Sequence, residues 1–330
     1  MMNQHIQTLR GLACVLLVLY HVIGADPGSG LRVADGPARW LNDGLAYLRM
    51  PLFTVLSGLV YGLRPFHRGG DSRAFLMGKV RRLLAPMLVV GTIFALLQAA
   101  IPGTNREIGD WRLLHIEPVG HFWFLESLFW VFLLVWLLER SACLSRPRNY
   151  ALACCAAVVL YLNARGPRLF GIEGAIYLLP YFLAGLAVSR FGGWPLLRRP
   201  LLVGALLALA LLAIARLGVP APHPDRRTVW ILLAGLSLCG LCLGLRLEWA
   251  WLARIGTASY AIYLFHVFFT AASRIALEKA GLDVFLLQVA LGLLLGLLGP
   301  IRVDQLASRN PWSALLLVGK SSRKRAQANE

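Results

Sequence analysis

In the stretch TLRGLACVLLVLYHVIG (8–24), Arg10 and His21 stand as ionisable groups on an otherwise apolar segment. Eleven steps of roughly 100° make three turns plus about 20°, so a helix puts both on one face, about 16 Å apart along its axis. A neutral imidazole can take the proton of an attacking hydroxyl or become acylated itself as a covalent carrier. A guanidinium presents a planar fork of donors suited to phosphate. Similar groups interrupt other apolar runs: Arg49 and Ser57, His121 and Glu126, and His266, while Arg81 and Arg82 sit in a basic cluster. A carboxylate such as Glu126, or a second imidazole such as His121, can orient a reacting histidine as the third group of a triad does.

An ionisable side chain deep in a membrane span is costly and marks a function by default. Each group also has a plain alternative. His21 can reach headgroups, Glu126 can be a packing residue, His266 can bond across helices, and Arg81 and Arg82 can anchor topology. Taken jointly, the histidines and Glu126 gather on one half of the spans and the arginines at the other mouth. That distribution points to one polar path through a bundle.

The elements that must hold such a path are transmembrane helices. Of 330 residues, 58% are hydrophobic and only 15% charged, with a mean hydropathy of +0.65, whereas soluble domains carry about 25% charged residues. The expected fold is an all-α polytopic bundle of about ten spans, near 9–24, 44–63, 83–101, 120–138, 148–163, 171–190, 200–217, 228–245, 255–275 and 284–301. The runs are too long and continuous for barrel strands. Pro102-Gly103, Pro147, Gly166-Pro167, Gly192-Gly193 and Pro220 to Pro224 punctuate the gaps. The first run lacks the features of a cleaved signal and is read as a retained span. One transmembrane domain is expected over 1–310, with 311–330 forming a short interfacial segment and a polar cytoplasmic tail. Cys239 and Cys242 form a CxxC without a second pair or nearby histidine, so they are read as packing residues and no metal is expected.

The formal net charge of +17 sits in short clusters between apolar runs, which argues for membrane topology and against nucleic-acid binding. With ten spans both termini share a side. Placing them in the cytoplasm puts 21 Lys and Arg there and 11 outside, with Arg49 left inside a span. Residues 64–82, with Arg64, Arg68, Arg73, Lys79, Arg81 and Arg82, discriminate most strongly, and the loop 216–227 fits least well. The expectation is a multi-pass cell-membrane protein with both termini cytoplasmic.

Several segments resemble the acyltransferase-3 family of membrane O-acyltransferases. LRGLACVLLVLYHV resembles the family's first helix, whose hallmark is Arg, ten residues, then His. RMPLFTVLSGLVYG (49–62) resembles the second-helix motif of branches acting on glucans and exopolysaccharides, although related branches often have His where this chain has Arg49. FLMGKVRRLLAPML (75–88) matches the basic inner loop before a proline, and GHFWFLESLFWVFLL (120–134) the His-x-Trp-Phe-Leu motif. YFLAGLAVSR (181–190) matches the sixth helix, and ASYAIYLFHVFF (258–269) the closing Ser-Tyr-x-x-Tyr-x-x-His. The matches run in family order over about residues 6–300. Glu126 stands where many relatives carry a small or apolar residue.

The resemblance implies transfer of an acyl group, acetyl first and succinyl second, from cytoplasmic acyl-CoA to a hydroxyl of a surface or periplasmic glycan. It implies His21, Glu126 and His121 as catalytic groups. Arg10, Arg81 and Arg82 would bind the donor, and Arg49, Ser57, Trp123, Tyr260, Tyr263 and His266 would contact substrate. The expected partners are a carbohydrate acceptor, the lipid bilayer and possible glycan-presenting proteins, with no nucleic acid. The rival class is a transporter or flippase, which would favour inverted repeats and broken helices; the chain shows no such internal symmetry.

Overall fold

The computed structural model of the chain describes residues 4–102, 104, 110–167, 169–192, 204 and 227–320. Among these residues every regular element is a helix. In order they are α1 (Gln4–Ile23), α2 (Pro37–Gly44), α3 (Ala46–Leu63), α4 (Ser72–Lys79), a π-helical turn (Val80–Leu84), α5 (Ala85–Ala100), α6 (Trp123–Arg140), α7 (Pro147–Asn163) and α8 (Ile172–Phe191). Beyond residue 226 follow α9 (Val229–Gly244), α10 (Ala250–Thr257), α11 (Ser259–Lys279), α12 (Phe285–Ala307) and α13 (Pro311–Val318).

Among the described residues seven stretches are long and apolar enough to cross a membrane: Gln4–Ile23, Pro37–Leu63, Ser72–Ala100, Gly120–Arg140, Leu169–Phe191, Ser259–Lys279 and Phe285–Ala307. The expected fifth and eighth spans are helices of 17 and 16 residues, α7 and α9, short for a hydrocarbon core of about 30 Å. The expected span at 200–217 lies outside the described residues apart from Gly204, as does the loop 216–227 apart from Arg227. The third span differs from expectation by starting at Ser72 instead of 83. The Asp71 carboxylate caps α4 by accepting from the Ala74 N–H at 3.0 Å, and lysine and arginine are good helix formers. The basic cluster is therefore mostly helix rather than loop.

Close helix pairs rest on glycine. A β-carbon on Gly58 of α3 would sit 2.0 Å from the Phe182 carbonyl oxygen of α8, and one on Gly185 would sit 1.9 Å from that of Val55. Gly11 of α1 and Gly256 of α10 make the same reciprocal approach, to Leu252 and Gln7. Small residues let helix backbones touch where lipid supplies no hydrophobic drive to associate. Helix α1 is central, packed on α3, α10, α11 and α12.

The two ends of the bundle can be told apart by their contacts. At one end, called the basic end here, the start of α1 meets the segment before α10: Gln4 Nε2 donates to the Glu248 carbonyl at 3.3 Å and Thr8 Oγ1 to that of Trp249 at 3.4 Å. Helix α13 packs there against α5 and α12, and Lys320 Nζ bonds Asp304 at 2.7 Å. The segment 311–318 is thus docked on the bundle. At the opposite end, Arg39 Nη1 and Asn42 Nδ2 of α2 donate to the Gly24 carbonyl, at 2.8 and 3.0 Å, and tie down the end of α1.

Candidate active site

At the end opposite the basic one, a cavity of about 790 Å³ opens between α1, α3, α6, α8, α11 and their connections. Its wall includes Tyr20, His21, Arg49, His121, Trp123 and Tyr263. Three imidazoles converge beside it. The His21 ring centroid lies 4.8 Å from that of His266 and 5.8 Å from that of His121, and the latter two are 4.9 Å apart. Residues 245 positions apart in sequence are brought together because α11 runs alongside α1.

The cluster is held by backbone and hydroxyl contacts. His266, fully buried, has its Nδ1 2.8 Å from the Ile262 carbonyl oxygen and 3.0 Å from that of Tyr263. Carbonyls only accept, so Nδ1 carries the hydrogen and Nε2 of the neutral ring holds the lone pair. The Nε2 atoms of His266 and His121 are buried and have no hydrogen-bond partner among the described residues. The Tyr263 hydroxyl donates to the His121 carbonyl and fixes the 3-10 turn Gly120–Phe122 that presents His121.

The structure places the other expected residues in three groups. Arg49 lines the cavity with its guanidinium carbon 3.7 Å over the centroid of the Tyr20 ring, and Trp123 lines it from α6. Glu126 is close by, in the first turn of α6 and about a third of the way along the spanning stretch Gly120–Arg140. It is 4% exposed, and neither carboxylate oxygen has a hydrogen-bond partner among the described residues, so it makes no hydrogen bond to His21 such as a triad carboxylate would. Ser57 donates to the Phe53 carbonyl of its own helix at 2.8 Å, away from the cavity wall.

Arg10, Arg81 and Arg82 are at the basic end, far from the cavity wall. Arg10 lies within electrostatic range of Arg82, and α1 is continuous from Gln4 to Ile23, so the axial rise of about 16 Å separates it from His21. Tyr260 belongs to this group and not to the cavity: its hydroxyl donates to the Arg82 carbonyl within the π-helical turn. Among the described residues no group of three His, Cys, Asp or Glu side chains is placed to hold a metal ion.

The family model described as an acyltransferase domain, that of the acyltransferase-3 family, matches residues 3–303. The chain belongs to the acyltransferase-3 family. It is a membrane acyltransferase, and the six motifs that carried the resemblance all fall inside the matched span. Comparison with curated proteins and with solved structures gives no match.

Several cavity residues of this acyltransferase carry no signal in the sequence pattern. Tyr20 reads as one more aromatic of an apolar run, yet it lies under Arg49 and against His21. Arg227 sits in what reads as a loop, yet it lines the cavity, donates to the Ala164 and Glu173 carbonyls at 3.0 Å each, and lies 3.3 Å from the Glu173 carboxylate. Burial holds its pKa below the ordinary arginine value, while Glu173 works in the other direction. Both positions depend on which helices neighbour one another, which local spacing does not encode.

Proposed function

We infer that the acyltransferase moves an acyl group, most simply acetyl, from acyl-CoA in the cytoplasm to a carbohydrate hydroxyl at the outer face. One observation supports this above the others: His21 and His121 of the histidine cluster line a cavity at one end of the bundle, while Arg10, on the same helix as His21, stands beside Arg82 at the other. Arg10, Arg81 and Arg82 offer forked donors for the phosphates of the donor. An extended pantetheine arm matches the axial distance from Arg10 to His21 of about 16 Å. A cavity of about 790 Å³ falls within the range that takes a small ligand or a sugar unit.

In the direct route, the hydroxyl oxygen bonds to the thioester carbonyl carbon while His21 takes the hydroxyl proton. The carbon–sulfur bond then breaks, and the thiolate leaves with the electron pair and recovers a proton. In the covalent route a ring nitrogen of His21 bonds to the thioester carbonyl carbon as the thiolate leaves with the carbon–sulfur electron pair. The hydroxyl oxygen then bonds to that carbon, the carbon–nitrogen bond breaks back to the imidazole, and the hydroxyl proton goes to the thiolate. The structure accommodates either route, and Glu126 is assigned no bond to His21 in them. Changing His21→Ala is expected to lower transfer of labelled acetyl from acetyl-CoA to an oligosaccharide acceptor by about 10²-fold or more, with normal membrane insertion. Transfer at the wild-type rate would remove His21 from the reaction.

A further inference from the structure

Among the described residues three arginines line the cavity, and two of them are matched by carboxylates. Arg227 lies 3.3 Å from Glu173, and Arg274 lies 2.8 Å from Glu278. Arg49 is different. It is 3% exposed, and among the described residues it makes no ion pair. Among the described residues the acid that acts on it electrostatically is Asp43, whose carboxylate pairs with Arg39 at 3.4 Å. One carboxylate therefore faces two guanidiniums, and one positive charge is left in excess beside His21. Asp110 and Glu117 also line the cavity, and neither pairs with Arg49.

The guanidinium is also held rigidly. Nη1 donates to Asn42 Oδ1 at 3.2 Å and Nη2 to the Asn42 carbonyl at 3.0 Å, while the Tyr20 ring stacks under it at 3.7 Å. An arginine has five N–H donors, so three of them meet no protein acceptor among the described residues. A planar, stacked fork with donors to spare and a single excess charge fits a carboxylate, which is planar and singly charged. A phosphate monoester carries nearly two charges at neutral pH. The position is productive, because the Tyr20 ring that Arg49 stacks on has its centroid 5.0 Å from that of His21.

We propose that Arg49 is a subsite for a carboxylate carried by one of the two substrates. This rests on the acyl-transfer reading above and narrows its substrates. The carboxylate has two possible sources: the far end of a dicarboxylic acyl group such as succinyl, or a uronic-acid unit of the acceptor. Selectivity arises because the uncharged counterpart leaves a buried cation without its partner.

The test is binding to the full chain in detergent micelles, with two pairs of probes: succinyl-CoA against acetyl-CoA, and a uronate-containing oligosaccharide against its neutral analogue. Wild type is expected to bind one charged probe at least tenfold tighter than its uncharged partner. The pair that shows the preference identifies the source. Arg49→Gln is expected to abolish the preference while leaving the uncharged probe's affinity within twofold, and Arg49→Lys to retain part of it. No preference in wild type for either pair overturns the proposal, as does a preference that survives Arg49→Gln. The wild-type comparison stands even if Arg49→Gln fails to fold. Acyl transfer is scored separately with the same probes. If no transfer occurs, the functional reading fails, and the binding result still decides whether Arg49 is a carboxylate site.

Discussion

At His266 the two ring nitrogens are given different tasks by the helix itself. Nδ1 is 2.8 Å from the carbonyl oxygen four residues back and 3.0 Å from that three residues back, which fixes the tautomer. Nε2 is left as a buried acceptor whose ring lies 4.8 Å from that of His21. A buried acceptor without a protein partner costs stability, and a catalytic cluster recovers that cost when a hydroxyl or an imidazolium arrives. Replacing His266→Phe keeps the ring and removes the acceptor. The expected result is a fall in kcat of about 10²-fold with the KM for acyl-CoA nearly unchanged, read from initial rates at saturating acceptor. A rise in KM with kcat intact would instead place His266 in donor binding. The sequence singles out His266 by its motif, yet its role follows from Nε2 facing a helix that begins more than 240 residues earlier.

Among the elements, the π-helical turn Val80–Leu84 joins the basic α4 to the apolar α5 and carries Arg81 and Arg82. Such turns widen the helix by one residue and recur at functional sites. Here the turn is braced from two sides. The Tyr260 hydroxyl of α11 donates to the Arg82 carbonyl, and a β-carbon on Gly319 would lie 2.8 Å from the Arg81 carbonyl oxygen. Tyr260→Phe removes one neutral hydrogen bond, worth about 1 kcal/mol, so the KM for acyl-CoA is expected to rise about fivefold with kcat little changed. The double change Arg81→Lys with Arg82→Lys tests the same element by charge shape. Lysine preserves the positive-inside signal but not the fork, so topology should hold while KM rises and kcat falls less than kcat/KM. Unchanged donor kinetics in both variants would reduce the two arginines to topology anchors. The spans are legible because hydropathy reports helix positions directly. The helical start at Ser72 is not, because a charge cluster between apolar runs reads as a loop, and neither is the brace by Tyr260, whose partner lies 178 positions away.

For the whole molecule, the contacts sort residues into two ends without saying which end meets the cytoplasm. Arg10, the turn carrying Arg81 and Arg82, α10 and α13 share the basic end. Gly24, α2 and the cavity share the other. Charge supplies the direction: the ten-span reading of the sequence assigns 21 Lys and Arg to the side of the basic end against 11 to the other, and basic loops stay inside. The cavity would then open outward, where a glycan hydroxyl is found, and the arginines inward, where acyl-CoA is made. Cysteine accessibility measures this directly. Cys143 is a native probe, half-buried in the connection between α6 and α7 at the basic end, and should resist a membrane-impermeant maleimide in intact cells. With the native cysteines replaced, single cysteines at Asp110 and Gly166 should label from outside, and one at Gly70 should label only after permeabilisation. External labelling at Gly70 with protection at Asp110 would invert the protein. The cavity would then face the cytoplasm, and the histidines would be on the wrong side to acylate a glycan beyond the membrane.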